Sequence, residues 1–170
     1  MKIKNKNYST LWVENSKIKI IDQTKLPFKL IIKELKTLDD FCRAIAEMEV
    51  RGAPLIGVTA AFGLALALTK DASFKNIDKS INALLETRPT AINLRWALSY
   101  IFKRIKNKRI QDRAKLSLEL AKQIRQEDIM NCFKIGLNGY KIIEKVYKKK
   151  KKPINILTHC NAGWLATIDW

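Results

Sequence analysis

Three places in this 170-residue sequence hold residue types and spacings that could do chemistry. The first is Val50 to Gly63, VRGAPLIGVTAAFG, where Arg51, Gly52 and Ala53 lead through Pro54 into a run of small and apolar residues. Proline suits the first helical position, where no N–H is missed. A helix start carries unpaired N–H groups and the positive end of the macrodipole, so an arginine beside it makes a pocket suited to an anion such as phosphate. The second place is Arg88-Pro89-Thr90. A residue before proline is driven to extended backbone, which presents Arg88 at the N-terminus of a helix expected over Pro89 to about Ile105. At both places the competing reading is an arginine that only caps or pairs. The third is Cys160, which follows the β-rich run Ile154 to Thr158 (INILT) and precedes an expected helix start from Trp164. Strand, tight loop and helix open an α/β unit, whose ligands gather at the carboxyl ends of the strands. A thiol there can have its usual pKa of about 8.5 lowered and serve as acid, base or nucleophile. The competing reading is an inert buried cysteine. His159 adjoins it, but neighbours on an extended segment point to opposite sides, so no direct Cys-His pair is expected.

The elements that must position these residues are mostly helical. Leu11 to Val13 and Lys17 to Ile21 are expected as two strands joined by a turn at Glu14, Asn15 and Ser16. Asp22 to Pro27 breaks the pattern. Thr37, with Asp40 three residues on, caps a helix whose apolar face is Leu38, Phe41, Ile45 and Met48. The helix from Pro54 to about Lys70 is apolar on every side and is expected at the centre, with Gly57 and Gly63 admitting close neighbours. A polar break at Asp71 to Asn76 precedes a helix bearing Ile77, Ile81, Leu84 and Leu85. From Gln111 to about Tyr147 the pattern predicts two helices meeting near Gln126 to Asp128, and Gly136 and Gly139 in the second require a closely packed backbone. Lys148 to Lys152, closed by Pro153, reads as an exposed linker. The expected domains are therefore 1–147, a small β element plus a helical domain; 148–153, the linker; and 154–170, the first strand and loop of an α/β domain.

Composition excludes several classes. Hydrophobic content of 47% requires a core rather than a disordered chain. The net charge of +17, from 33 basic and 16 acidic residues, raises a polyanion-binding reading. The lysines are scattered without interleaved stacking aromatics, so most are expected on solvated helix faces. Cys42, Cys132 and Cys160 are odd in number and widely spaced, which indicates neither a disulfide framework nor a metal site. The basic N-terminus has no apolar segment behind it, and Pro54 to Thr69 is shorter than the roughly 20 residues a membrane span needs. A cytoplasmic location is expected.

The chain resembles the methylthioribose-1-phosphate isomerases, the aldose-ketose isomerases of methionine salvage. The resemblance rests on Trp12, Asp22-Gln23, Leu26-Pro27, Ala44-Ile45, Met48, Val50-Arg51-Gly52-Ala53-Pro54, Ile56-Gly57, Ala60-Ala61 and Gly63. It continues through Arg88-Pro89-Thr90-Ala91, Asn93-Leu94, Glu127-Asp128, Asn131, Ile135-Gly136, Gly139 and Thr158-His159-Cys160-Asn161. It implies a small β element, a helical domain and a Rossmann-like second domain, of which this chain would carry only the opening. It implies that Arg51, Gly52 and Ala53 bind the substrate, that Arg88 helps hold its phosphate, and that Cys160 is one of two catalytic residues, with no metal or organic cofactor. The second catalytic residue, an aspartate, and further binding residues would fall beyond Trp170. On that expectation the chain is truncated and depends for full activity on a homodimer partner or a complementing C-terminal chain. A non-catalytic phosphosugar- or partner-binding module is the alternative, since related regulatory subunits of a translation-initiation exchange factor share the fold. Ribose-1,5-bisphosphate isomerase is a further relative.

Overall fold

The computed structural model describes residues 2, 3 and 5–170. A short hairpin of β1 (Lys2–Ile3) and β2 (Lys6–Asn7) precedes a three-stranded antiparallel sheet of β3 (Leu11–Glu14), β4 (Lys17–Ile21) and β5 (Ile32–Leu35), with β4 in the middle. Asn15 and Ser16 both take positive φ (49° and 63°), the two-residue hairpin geometry that matches strand twist. Register pairs Leu11 with Ile20 and Ile18 with Leu35, so the alternation puts Leu11, Ile18, Ile20 and Leu35 on the buried face. β5 is not among the strands expected from the sequence, because Lys33 and Glu34 interrupt its apolar pattern.

Five α-helices follow among the described residues: α1 (Leu38–Ala46), α2 (Ala53–Lys70), α3 (Phe74–Thr87), α4 (Ile92–Ile105) and α5 (Ile110–Lys150). α1 opens on the expected capping box, with the Thr37 hydroxyl and the Asp40 carboxylate each accepting a backbone N–H. α2 is the central helix, and all its positions from Leu55 to Ala65 are buried. It packs on the other four helices. By length and composition α2 could cross a membrane (mean hydropathy 1.6), but 67% of it is buried inside the protein as a core helix. Gly57 and Gly63 give the close approaches expected of them. A Cβ at Gly57 would stand 2.9 Å from the Asn93 carbonyl oxygen, and one at Gly63 would stand 3.0 Å from the Phe41 side chain.

Several expectations are corrected. Met48 is not on the apolar face of α1: the helix ends at Ala46, Met48 turns into left-handed backbone (φ 59°), and its side chain is exposed while Val50 enters the core. α4 does not start at Pro89. Arg88 to Ala91 form a turn closed by the Ala91 N–H on the Arg88 carbonyl (3.0 Å), and the helix begins at Ile92. The break expected near Gln126 to Asp128 does not exist, because Gln and Glu are good helix formers and no glycine or proline stands there; α5 runs unbroken for 41 residues. Gly136 and Gly139 meet no neighbour within 4 Å among the described residues, so no close backbone explains them. Ile154 to Thr158 forms no strand. A strand needs a partner edge, and among the described residues every strand is paired within the two N-terminal sheets, so the segment stays unpaired with Leu157 97% exposed. The expected lysine linker is half helix: Lys148 to Lys150 form the last turn of α5, where positive charge suits the helix dipole, and Lys151 ends it in left-handed backbone.

Past α5 the chain doubles back along it. Pro153, Ile154 and Ile156 line a cleft with Tyr140, Ile143 and Tyr147 of α5, and further on Trp170 stacks against Phe133 (5.2 Å between centroids). Instead of a helix, Trp164–Ala166 is a single 3-10 turn that delivers Ala166 and Ile168 into buried positions. The Thr10 N–H donates to the Ile168 carbonyl (3.0 Å) and the Ile168 N–H donates to Asp128 Oδ2 (2.8 Å), which ties sheet, tail and α5 together.

Candidate functional site

The loop of Arg51, Gly52 and Ala53 is held from three sides. From the sheet, Lys33 Nζ on β5 bridges two carboxylates that are almost wholly buried, Asp22 (3.0 Å) and Glu49 (2.5 Å). Burial pushes the Asp22 carboxyl up, but hydrogen bonds from Thr24 and Lys33 outweigh it and leave the group below the usual carboxylate range. The Glu49 hydrogen bond holds the Lys33 ammonium above its ordinary value against the opposing effect of burial. The Gln23 N–H donates to the Glu49 carbonyl (2.9 Å), and from α1 the Ala44 carbonyl accepts the Val50 N–H (3.1 Å). From the tail, the Gln23 side-chain amide donates to the Leu165 carbonyl (2.8 Å) while Ala166 presses on Gly52. Gly52 takes φ +101°, and a Cβ there would stand 2.3 Å from Ala166 Cα, so no other residue fits. Its carbonyl accepts the Ile56 N–H (3.0 Å), which starts α2 with Pro54 in the first turn. Arg51 is left exposed at that start.

Arg88 closes α3 and is half-buried. It stands at the turn before α4 rather than at the first helical position. The two arginine-bearing loops nonetheless feed helices that touch near their starts, because Gly57 of α2 lies against Asn93 of α4. Beside that contact is an open cleft of about 310 Å³, at the low end of small-molecule sites, walled by Gly57, Asn93, Trp96, Glu127, Asp128 and Asn131. Trp96 is half-exposed and stacks on Tyr100 (5.4 Å), which in turn carries the Arg104 guanidinium over its ring (3.4 Å). Burial raises the Asp128 carboxyl above its ordinary value, partly offset by the Ile168 N–H. Glu127 accepts from the Gln123 amide (2.7 Å).

Cys160 is exposed, in left-handed backbone (φ 66°), in a bend three residues before Gly163, which is also at positive φ. The buried-cysteine reading fails for it and describes Cys42 and Cys132 better, whose thiols burial pushes up. The chain from Cys160 leads directly to the 3-10 turn that lies on Gly52, so the cysteine segment and the arginine loop are joined through the tail. Sequence reasoning assigned no role to the cleft wall or to the Asp22–Lys33–Glu49 bridge. The spacing of Asn93 with Trp96, and of Glu127 with Asn131, puts each pair on one helix face and was the available signal.

Comparison with known proteins assigns relatives to this arrangement. Residues 49–168 match the model of the initiation factor 2 subunit family. The chain is 49% identical over its full length to a protein of Methylorubrum populi and 47% identical to one of Escherichia coli, both named methylthioribose-1-phosphate isomerase. It covers 47% of each, so it spans about half the length of the curated relatives it matches. Among solved structures, 5-methylthioribose 1-phosphate isomerase from Pyrococcus horikoshii superposes with a TM-score of 0.80 at 33% identity, covering 96% of this chain and 46% of that one. The delta subunit of translation initiation factor eIF-2B from A. fulgidus superposes with a TM-score of 0.71 at 29% identity, covering 96% and 48%.

Proposed function

The chain belongs to the initiation factor 2 subunit family, and on that premise we propose that it forms the substrate-binding part of a methylthioribose-1-phosphate isomerase. In this reading Arg51, Gly52 and Ala53 hold the sugar phosphate, with the N-terminus of α2 and Arg88 balancing the phosphate charge. Cys160 acts as one of two acid-base groups that open the ring and move hydrogen between C2 and C1, giving 5-methylthioribulose 1-phosphate from 5-methylthioribose 1-phosphate. The phosphate on C1 blocks simple ring opening, so a group must assist that step. A fixed phosphate supplies the orientation. The other acid-base group comes from residues beyond Trp170 or from another chain, and residues 154–170 are the opening of the Rossmann-like domain that carries it. The location is cytoplasmic.

What carries this reading is the tail contact. Ala166 packs on Gly52, so the chain that follows Cys160 is anchored on the loop that would bind phosphate. An isomerase assay with 5-methylthioribose 1-phosphate on the chain combined with the part that supplies the second group, run beside Cys160→Ala and Arg51→Ala, tests it. Turnover abolished by the first change and a sharply raised KM from the second are expected. Turnover indifferent to Cys160→Ala ends the catalytic assignment. The likeness to the eIF-2B delta subunit favours a second reading, a module of the same fold that binds a phosphosugar without catalysis. Binding that depends on Arg51, with no turnover even when the part expected to supply the second group is present, selects it.

A further inference from the structure

The cleft between α2, α4 and α5 has a lining that a phosphate does not account for. Glu127 and Asp128 stand on its α5 wall, Asn93 and Asn131 face it from α4 and α5, and Trp96 closes one side. Carboxylates repel a phosphate, whereas they accept hydrogen bonds from neutral hydroxyls, and amides both donate and accept. An indole face offers apolar surface to the carbon skeleton of a sugar. The opposite polarity lies next door: the cleft begins at Pro54, in the first turn of α2 directly after Arg51, Gly52 and Ala53, and Asn93 is two residues beyond the turn that Arg88 opens. In a chain of net charge +17, a cleft with an acidic wall beside an arginine-flanked helix start is built for a ligand with one anionic end and one hydroxylated end.

We propose that this cleft is the subsite for the hydroxylated carbon body of the phosphosugar, with Asn93, Glu127, Asp128 and Asn131 binding hydroxyls, Trp96 covering the carbon chain, and the phosphate resting at the Arg51 loop. The inference rests on the phosphosugar reading above and adds to it the residues that separate a sugar phosphate from phosphate alone. Asp128 couples the subsite to the tail, because the same carboxylate that faces the cleft accepts the Ile168 N–H. Occupancy of the cleft and the seating of the segment after Cys160 therefore share one group.

The test is calorimetric titration of the full chain with 5-methylthioribose 1-phosphate and separately with inorganic phosphate, in the parent and in Asn131→Ala, Trp96→Leu and Arg51→Ala. Asn131 and Trp96 lie outside the hydrophobic core, and thermal melts confirm folding. The parent is expected to bind the phosphosugar at least about tenfold tighter than phosphate, a difference of about 1.4 kcal/mol. Asn131→Ala and Trp96→Leu are expected to collapse that ratio while leaving the phosphate Kd within about twofold, and Arg51→Ala weakens both ligands. If Arg51→Ala weakens both ligands but the cleft variants keep the ratio, or lose both ligands alike, the subsite is wrong and the phosphosugar reading stands. If the parent binds neither ligand, or Arg51→Ala changes nothing, the phosphosugar reading fails and the subsite falls with it.

Discussion

The two halves of α5 carry the same kind of sequence and lead different lives. From Ile110 to about Asn131 its apolar stripe, Leu120, Ala121 and Ile124, is buried against α2 and α4, and Arg125 reaches across to donate to the Leu11 carbonyl (3.1 Å). From Cys132 onward the same face continues through Ile135, Ile142 and Val146, yet those side chains are exposed, Ile135 to 71% and Ile142 to 68%. Periodicity says which face of a helix is apolar. It does not say what covers that face. In the second half the cover is thin: Thr167 beside Cys132, Trp170 on Phe133, and Pro153 to Ile156 beside Tyr140 to Tyr147.

The largest effect should separate the halves directly. Leu120→Ala empties a filled site and is expected to cost about 2–5 kcal/mol, whereas Ile142→Ala on the exposed stripe stays within about 0.5 kcal/mol. Urea unfolding of the two variants measures both, and equal costs would break the comparison.

The covered region also contains the buried charges. Lys33→Met strands Asp22 and Glu49 without their cation, and since Lys33 is partly exposed the cost is expected at about 1–3 kcal/mol rather than the full penalty of a buried pair. Asp22 has its pKa lowered from 3.8, so its contribution is present above that pH and disappears as pH falls through the lower folded value. Lys33 has its pKa raised from 10.5, so its contribution is present below that pH and disappears as pH rises through the higher folded value. The Tm gap between parent and Lys33→Met should accordingly be widest near neutral pH and narrow toward both ends; a gap independent of pH contradicts the bridge.

A smaller change probes the boundary between the halves. Asp128→Ala removes the acceptor of the Ile168 N–H and should cost about 1 kcal/mol. It should also loosen the tail, read as altered fluorescence from Trp164 and Trp170. Smallest in stability is the pair Ile135→Lys and Ile142→Lys, expected to leave unfolding free energy within about 1 kcal/mol while reducing self-association in sedimentation, because exposed apolar surface drives aggregation. Unchanged sedimentation would show that the stripe is already shielded.

Local chemistry made much of this legible in advance. The hairpin at Asn15 and Ser16, the capping box of Thr37 and Asp40, and the all-round apolar α2 follow from short-range geometry and from composition, which act within one turn or one strand pair. Arg51, Gly52, Ala53 and Arg88 drew notice for the same reason, since each sits at a sequence-readable junction of loop and helix, whereas Cys160 drew notice from a strand and a helix that do not form. The expected strand at Ile154 to Thr158 failed because a strand is a property of two segments, and INILT alone specifies only one of them.

Residue order and composition were enough for the family resemblance, for most helix faces and for the glycine that precedes α2. That Gly52 is needed against Ala166, that Asp22 and Glu49 share Lys33 across the base of the arginine loop, and that Asn93, Trp96 and Asp128 wall one cleft emerges from the packed chain alone. Those contacts join residues dozens to more than a hundred positions apart, and no local propensity encodes a distance between segments that meet only when the core closes.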